Sequence, residues 1–168
     1  MKTTEDLKAA FAGESRANRK YLAWAKQAER EGHPNIAKLF RAVAAAETVH
    51  AHNHFRTLGE VRSTAENLEA AITGEHYEVK TMYPDFIEDA KAEEHRRAIQ
   101  TFEWAWEVEK IHEQLYASAL ADLQKGNGEA KDVTYWVCGA CGHTHVGQAP
   151  PERCPVCNAL AKGYMKID

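Results

Sequence analysis

The sequence has no cysteine before residue 138, no excess of basic charge, and no apolar run near the roughly 18 residues a membrane-spanning helix requires. Without such a run, no helix is expected to cross a membrane. With 21 Lys and Arg against 25 Asp and Glu, the net charge is −4. No basic stripe is available to displace counterions, so nucleic acid is not an expected partner. The N-terminus lacks the apolar core and small-residue cleavage site of an export signal. A reducing cytoplasm is therefore the expected compartment, and clustered cysteines there bind metal more often than they pair. Glycine and proline are scarce up to residue 125, which holds only four of the ten Gly and two of the five Pro. The chain is 44% hydrophobic and 27% charged, which excludes disorder and collagen-like structure.

That distribution divides the 168 residues. Residues 1–125 read as a helical domain, 126–133 as a linker opened by Gly126-Asn127-Gly128, and 134–168 as a small module. A module this short buries too little apolar surface to fold unaided and needs a staple. The helical part contains four long segments. The first runs from an N-cap at Thr4 to about Glu31, and the second from Pro34 to about Val61. A crossover follows, opened by a Ser63/Glu66 capping box. The third segment spans about Gly74 to Glu94 with a kink at Pro84, and the fourth about Arg96 to Lys125. Four long helices of similar length define an all-α four-helix bundle.

The apolar seams carry the chemistry. In the first helix the seam reads Leu7, Phe11, Glu14, Asn18, Tyr21, Ala25, Ala28. In the second it reads Ile36, Phe40, Val43, Glu47, His50, His54, and in the fourth Phe102, Ala105, Glu109, His112, Tyr116, Ala119, Leu123. Steps of three and four mark the core-facing stripe of a bundle helix. Glu14, Glu47, His50, Glu109 and His112 thus point inward, and Glu75 and Glu78 share a face of the third helix. Inward-facing carboxylates repel one another and cost several kcal/mol each unless a cation compensates them. Two Glu-x-x-His pairs with Glu on the remaining helices form the ligand plan of dinuclear carboxylate bundles. The alternative is a set of rim or ion-paired core residues.

The other histidines read more plainly. His33 is a helix-end residue, His95 is solvated, His52 is off the seam, His54 is a hydrogen-bonded core residue, and His76 points away from Glu75. Tyr21 and Tyr83 are aromatic core, or donors to ligand carboxylates. Trp104 and Trp106 read as packing and interface surface.

In the module, Cys138-x-x-Cys141 and Cys154-x-x-Cys157 leave no cysteine over and specify one tetrahedral four-thiolate site. Iron and zinc both accept such a site. Gly142 and Asn158 directly follow the two pairs and tolerate the positive φ of a tight knuckle. His143 and His145 read as exposed loop residues.

Taken together, the two halves resemble rubrerythrin, a family that joins a ferritin-like di-iron bundle to a C-terminal rubredoxin-like module. The matching stretches are Phe11-Ala-Gly-Glu14-Ser, Ala46-Glu47-Thr-Val-His50, Gly74-Glu75-His-Tyr-Glu78, Met82-Tyr83-Pro84, Glu109-Lys-Ile-His112 and the two cysteine knuckles. They cover essentially the whole chain. The resemblance implies two non-haem iron ions at Glu14, Glu47, Glu75, Glu78, Glu109, His50 and His112, and one iron, replaceable by zinc, at Cys138, Cys141, Cys154 and Cys157. It implies that Glu78 binds one iron in the oxidised state and His50 replaces it on reduction. Tyr21 and Tyr83 match tyrosines that hydrogen-bond to ligand carboxylates. Asn158 departs from the glycine common in a rubredoxin knuckle.

The implied activity is reduction of hydrogen peroxide to water, with electrons entering from an external donor, a reductase or rubredoxin-type protein. One rival is a ferroxidase bundle with a structural zinc ribbon, and another is a zinc-filled scaffold without catalysis. A helix of about 14 residues beyond His112 covers roughly 21 Å, and eight linker residues reach up to roughly 26 Å. That span, with the resemblance, implies a head-to-tail homodimer, or a higher homo-oligomer, in which each module serves a partner's bundle.

Overall fold

The structure, a computed structural model, describes residues 1–126 and 133–167. Most of the linker, including Gly128, lies outside the described residues. The chain divides into two compact units, Met1–Arg62 and Ser63–Asp168.

The first unit is an antiparallel hairpin of α1 (Lys2–Arg30) and α2 (Pro34–Thr57). Helix α1 begins before the expected N-cap: the Met1 carbonyl accepts from the backbone N–H groups of Thr4 and Glu5, which places Thr4 inside the first turn. It stops where Gly32 adopts φ +80° and His33 N–H bonds the Ala28 carbonyl, a Schellman closure. Helix α2 ends at Thr57, earlier than the expected Val61. Gly59 takes φ +74° there, and Glu60 N–H reaches back to the Phe55 carbonyl. The interface between the helices is built from small residues: Ala25, Ala28, Ala37, Ala44 and Ala51 are buried. Asn18 lies among them and donates to the Ala44 carbonyl at 2.7 Å and to Thr48 Oγ1 at 2.8 Å. The α2 seam therefore splits. Its alanine stripe faces α1, while Ile36 and Val43 are exposed.

The second unit opens with the capping box at Ser63, where Glu66 N–H bonds Ser63 Oγ and Ser63 N–H bonds the Glu66 carboxylate. This box starts a helix rather than a crossover. Helix α3 runs Thr64–Tyr77, so the third helical segment begins well before Gly74. It passes into a π-helical turn, Glu78–Met82, and then α4, Tyr83–Ala92. The expected kink at Pro84 takes this form. Proline has no N–H to continue the ladder, and Tyr83 N–H bonds the carbonyl of Glu78, five residues back. Helix α4 closes with Glu94 at φ +55°, a left-handed position filled here without glycine. Helix α5 spans Arg96–Gln124 and packs on α3 and α4. His95 is exposed, as expected, and also caps α5: its Nδ1 accepts from Ala98 N–H at 3.2 Å.

The module is a three-stranded antiparallel sheet ordered β2-β1-β3, with β1 Tyr135–Cys138, β2 Thr144–Val146 and β3 Tyr164–Ile167. Trp136 opposes His145 on β2 and Lys166 on β3, and its indole donates to the Gly147 carbonyl. Cys138, Cys154 and Tyr164 form the small buried core, flanked by Trp136, Val156 and Ala159. No helix among the described residues is long and apolar enough to cross a membrane.

Candidate metal centres

Three groups of metal-ligating side chains come together among the described residues: Glu14, Glu47 and His50; Glu75, Glu109 and His112; and the four cysteines.

In the first unit, α1 presents Glu14 and α2 presents Glu47 and His50. Their nearest ligand atoms lie within 4.8 Å of one another. His50 Nδ1 is 2.9 Å from Glu47 Oε2, the contact that an i, i+3 pair on one helix face permits. The half-buried Tyr21 ring packs near Trp24 and Phe40, with centroids 5.5 and 6.2 Å away.

In the second unit, Glu75 on α3 meets Glu109 and His112 on α5, again within 4.8 Å. His112 Nδ1 sits 2.7 Å from Glu109 Oε2, the same pairing as in the first unit. The electrostatics are those of crowded carboxylates. Burial, then a shared proton with Glu109, pushes Glu75 up to about 7. Burial opposes ionisation of Glu109 too, but hydrogen bonds with His112 and Glu75 hold it below the usual carboxylate range. The Glu109 hydrogen bond raises His112. Glu78, the first residue of the π-helical turn, stands outside the three-residue cluster but within its field. Burial and the Glu109 charge raise it. Tyr83 is raised by burial and by Glu109, Glu78 and Glu75, which places its hydroxyl on the carboxylate side. A group that must hold a proton to relieve carboxylate repulsion is one that a di- or trivalent cation would replace. The donor set therefore fits hard cations that accept oxygen and imidazole.

The cysteines are not disulfide-bonded. Cys138 Sγ lies 3.6 Å from Cys157 Sγ, and Cys141 Sγ 3.5 Å from Cys154 Sγ. A tetrahedron with metal–sulfur bonds of about 2.3 Å has edges of about 3.8 Å, so the spacing suits one ion. The two knuckles are built alike. Gly142 has φ +86° and Asn158 φ +63°, and each donates its N–H to the first cysteine carbonyl of its pair at 2.9 Å. Asn158 thus keeps the knuckle geometry. Backbone N–H groups of His143 and Ala159 point at Cys141 and Cys157, and those of Val156 and Cys157 at Cys154. Burial acts against ionisation of Cys154, yet the Tyr164 hydroxyl and these amides bring it down to about 6.

The structure corrects the reading of His143 and adds contacts at His76, Trp106 and Thr144. His143 is buried at 6% exposure, its Nδ1 2.7 Å from the Tyr164 hydroxyl that faces Cys154, whereas a loop position had implied exposure. His76 pairs with Glu113 at 2.8 Å. Trp106 does more than pack, because its indole donates to the Val79 carbonyl inside the π-helical turn at 2.8 Å. Thr144, which no motif singles out, lies 2.9 Å from His112 Nε2. Through this contact the module packs on α5 of its own chain. The linker span implied that the module need not sit beside its own site; within the second unit it touches His112.

Two carboxylate–histidine sets and a four-thiolate knuckle pair define a non-haem iron oxidoreductase with a di-iron and a rubredoxin-like iron centre. Comparison with known proteins agrees. The rubrerythrin family model matches residues 5–120, and the rubrerythrin rubredoxin-like domain matches residues 136–164. Rubrerythrin-2 of Clostridium acetobutylicum is 37% identical over 92% of this chain and 91% of its own length. Nigerythrin of Nitratidesulfovibrio vulgaris is 36% identical over 92% of this chain and 81% of its own. Solved structures of nigerythrin in mixed-valence and fully reduced, all-ferrous states match with TM-scores of 0.58 at 34% identity, covering 98% of this chain and 86% of theirs. The chain belongs to the rubrerythrin family.

Proposed function

We propose that the protein is a peroxidase of oxidative-stress defence, reducing hydrogen peroxide to water with electrons that enter through the rubredoxin-like module. Glu14, Glu47, His50, Glu75, Glu78, Glu109 and His112 would hold two iron ions, and the four cysteines a third. Iron bound at the carboxylates supplies Lewis acidity and two reducing equivalents.

The observation that carries this reading is Glu78. It is a further carboxylate, beside Glu75 and Glu109, at the start of a π-helical turn. A turn with five-residue hydrogen bonding is a site where the backbone already departs from the regular ladder, and such turns recur at functional positions. Glu78 lies outside the Glu75–Glu109–His112 group; in the proposed reaction it would join that group in the oxidised state, and His50 would replace it as a ligand on reduction. Glu75 and Glu109 share a proton without metal and release it when a cation binds. Tyr83, with its hydroxyl raised, remains protonated and is a hydrogen-bond donor towards the carboxylates. Tyr21 is assigned the corresponding place beside the first unit's set. The additional carboxylate favours peroxide reduction over iron storage.

The test is steady-state peroxide consumption by iron-loaded protein with an external one-electron donor. Glu78→Ala should remove turnover while the visible bands of the four-thiolate iron persist. Unchanged turnover would overturn the assignment. A cytoplasmic location and a homo-oligomeric assembly belong to the same proposal.

A further inference from the structure

We propose that Thr144 is a positioning residue that holds His112 through Nε2 and couples it to the four-thiolate knuckle. The inference rests on the reading of His112 as an iron ligand and of the module as the electron entry point.

Histidine has two ring nitrogens, and the partner of one fixes the role of the other. His112 Nδ1 faces Glu109 at 2.7 Å and belongs to the carboxylate cluster. His112 Nε2 faces away from that cluster, to Thr144 Oγ1 at 2.9 Å. Thr144 Oγ1 in turn donates to the Gly142 carbonyl at 3.3 Å. The direction is consistent along the chain: Nε2–H donates to the hydroxyl, and the hydroxyl donates to the carbonyl. With Nδ1 committed to a cation, Nε2 must carry the proton, which is the state this chain of donors requires.

Gly142 is bonded to Cys141, and its own N–H holds the Cys138 carbonyl. One threonine hydroxyl therefore joins the imidazole of one centre to the peptide next to a thiolate of the other. Thr144 is placed for this by the sheet, where it opposes Val137 at the start of β2, and by the packing of β2 on α5. His112 has 27% of its side chain exposed and His50 has 54%. The two histidines thus differ in exposure although their Nδ1 contacts are alike. With iron bound at both centres, the ion held by the four cysteines would give up one electron and an oxidised ion held by the carboxylates would take it.

The experiment compares wild type, Thr144→Val and Thr144→Ser in full-length, iron-loaded, oxidised protein. A flash-generated deazaflavin radical reduces the thiolate iron, and recovery of its visible bands reports transfer to the carboxylate site without peroxide. Failure of the peroxidase reading therefore leaves this test intact. Valine matches threonine in shape and β preference, so the loss is confined to the hydroxyl. Recovery should slow about ten- to hundredfold in Thr144→Val, the usual cost of removing an outer partner of a ligating histidine. Thr144→Ser should stay close to wild type. A second readout needs no redox chemistry: in zinc-loaded protein, the His112 Hε2 proton resonance should resist solvent exchange in wild type and Thr144→Ser, and vanish in Thr144→Val. Loss of metal from the carboxylate site in Thr144→Val alone would also support the role. Wild-type recovery in Thr144→Val, equal slowing in Val and Ser, or an unchanged Hε2 resonance would each overturn it.

Discussion

The indole of Trp106 on α5 donates to the carbonyl of Val79, one residue after Glu78, at 2.8 Å. Val79 is buried at 7% exposure, and a π-helical turn redistributes the carbonyls that a regular ladder would satisfy. Lys110 covers the same indole at 3.4 Å from its ring centroid. Trp106 thus pins the turn that carries Glu78. Trp106→Phe keeps an aromatic ring but removes the donor, leaving a buried carbonyl unpaired at a cost of about 1–3 kcal/mol, beyond the volume lost with the smaller ring. Thermal unfolding should show the loss, and the carboxylate-iron absorption should change while the thiolate bands do not.

The carboxylate cluster gives the metal-free protein a definite pH dependence. The Glu75 pKa is raised in the folded state from 4.5 to about 7, so the fold holds this proton more tightly than the unfolded chain does. The corresponding stability is full below the unfolded value and declines as pH rises through the folded one. Denaturant unfolding of metal-free protein should therefore show stability falling between about pH 5 and about pH 8, and Glu75→Gln should flatten that slope.

Metal binding should reverse this relation. Glu75 and His112 must give up protons to become ligands, so affinity for Fe(II) or Zn(II) should weaken as pH drops below about 7. Calorimetry in buffers of different ionisation enthalpy should register proton release on binding to wild type, and less release to Glu75→Gln.

The second knuckle makes a separate prediction. Asn158 occupies φ +63°, a region that costs an ordinary L-residue about 1–2 kcal/mol. Asn158→Ala should speed metal loss to a chelator and Asn158→Gly should slow it, with the helices unaffected by far-UV circular dichroism.

What could be read from the sequence was whatever has a period or a local rule. Two Cys-x-x-Cys pairs, positive φ at Gly142 and Asn158, and Glu-x-x-His at seam positions are local, and the structure realises each. The Ser63/Glu66 box is legible in the sequence, but it opens helix α3 where a crossover was expected. The α2 stripe was harder, because alanine carries little hydrophobic signal. Ala37, Ala44 and Ala51 face α1, while the more apolar Ile36 and Val43 do not. Thr144 and His143 depend on tertiary contact alone. No spacing in the chain places a β2 hydroxyl against α5, or a knuckle histidine beneath Tyr164.

In the proposed function, peroxide is reduced by electrons held at both iron centres. The direct measurement mixes fully reduced, iron-loaded protein with limiting hydrogen peroxide and follows the visible bands of the thiolate iron. The predicted result is their return in step with peroxide loss in wild type, and a far slower return in Glu78→Ala. Peroxide consumed without return of those bands, or an equal return in Glu78→Ala, would contradict it.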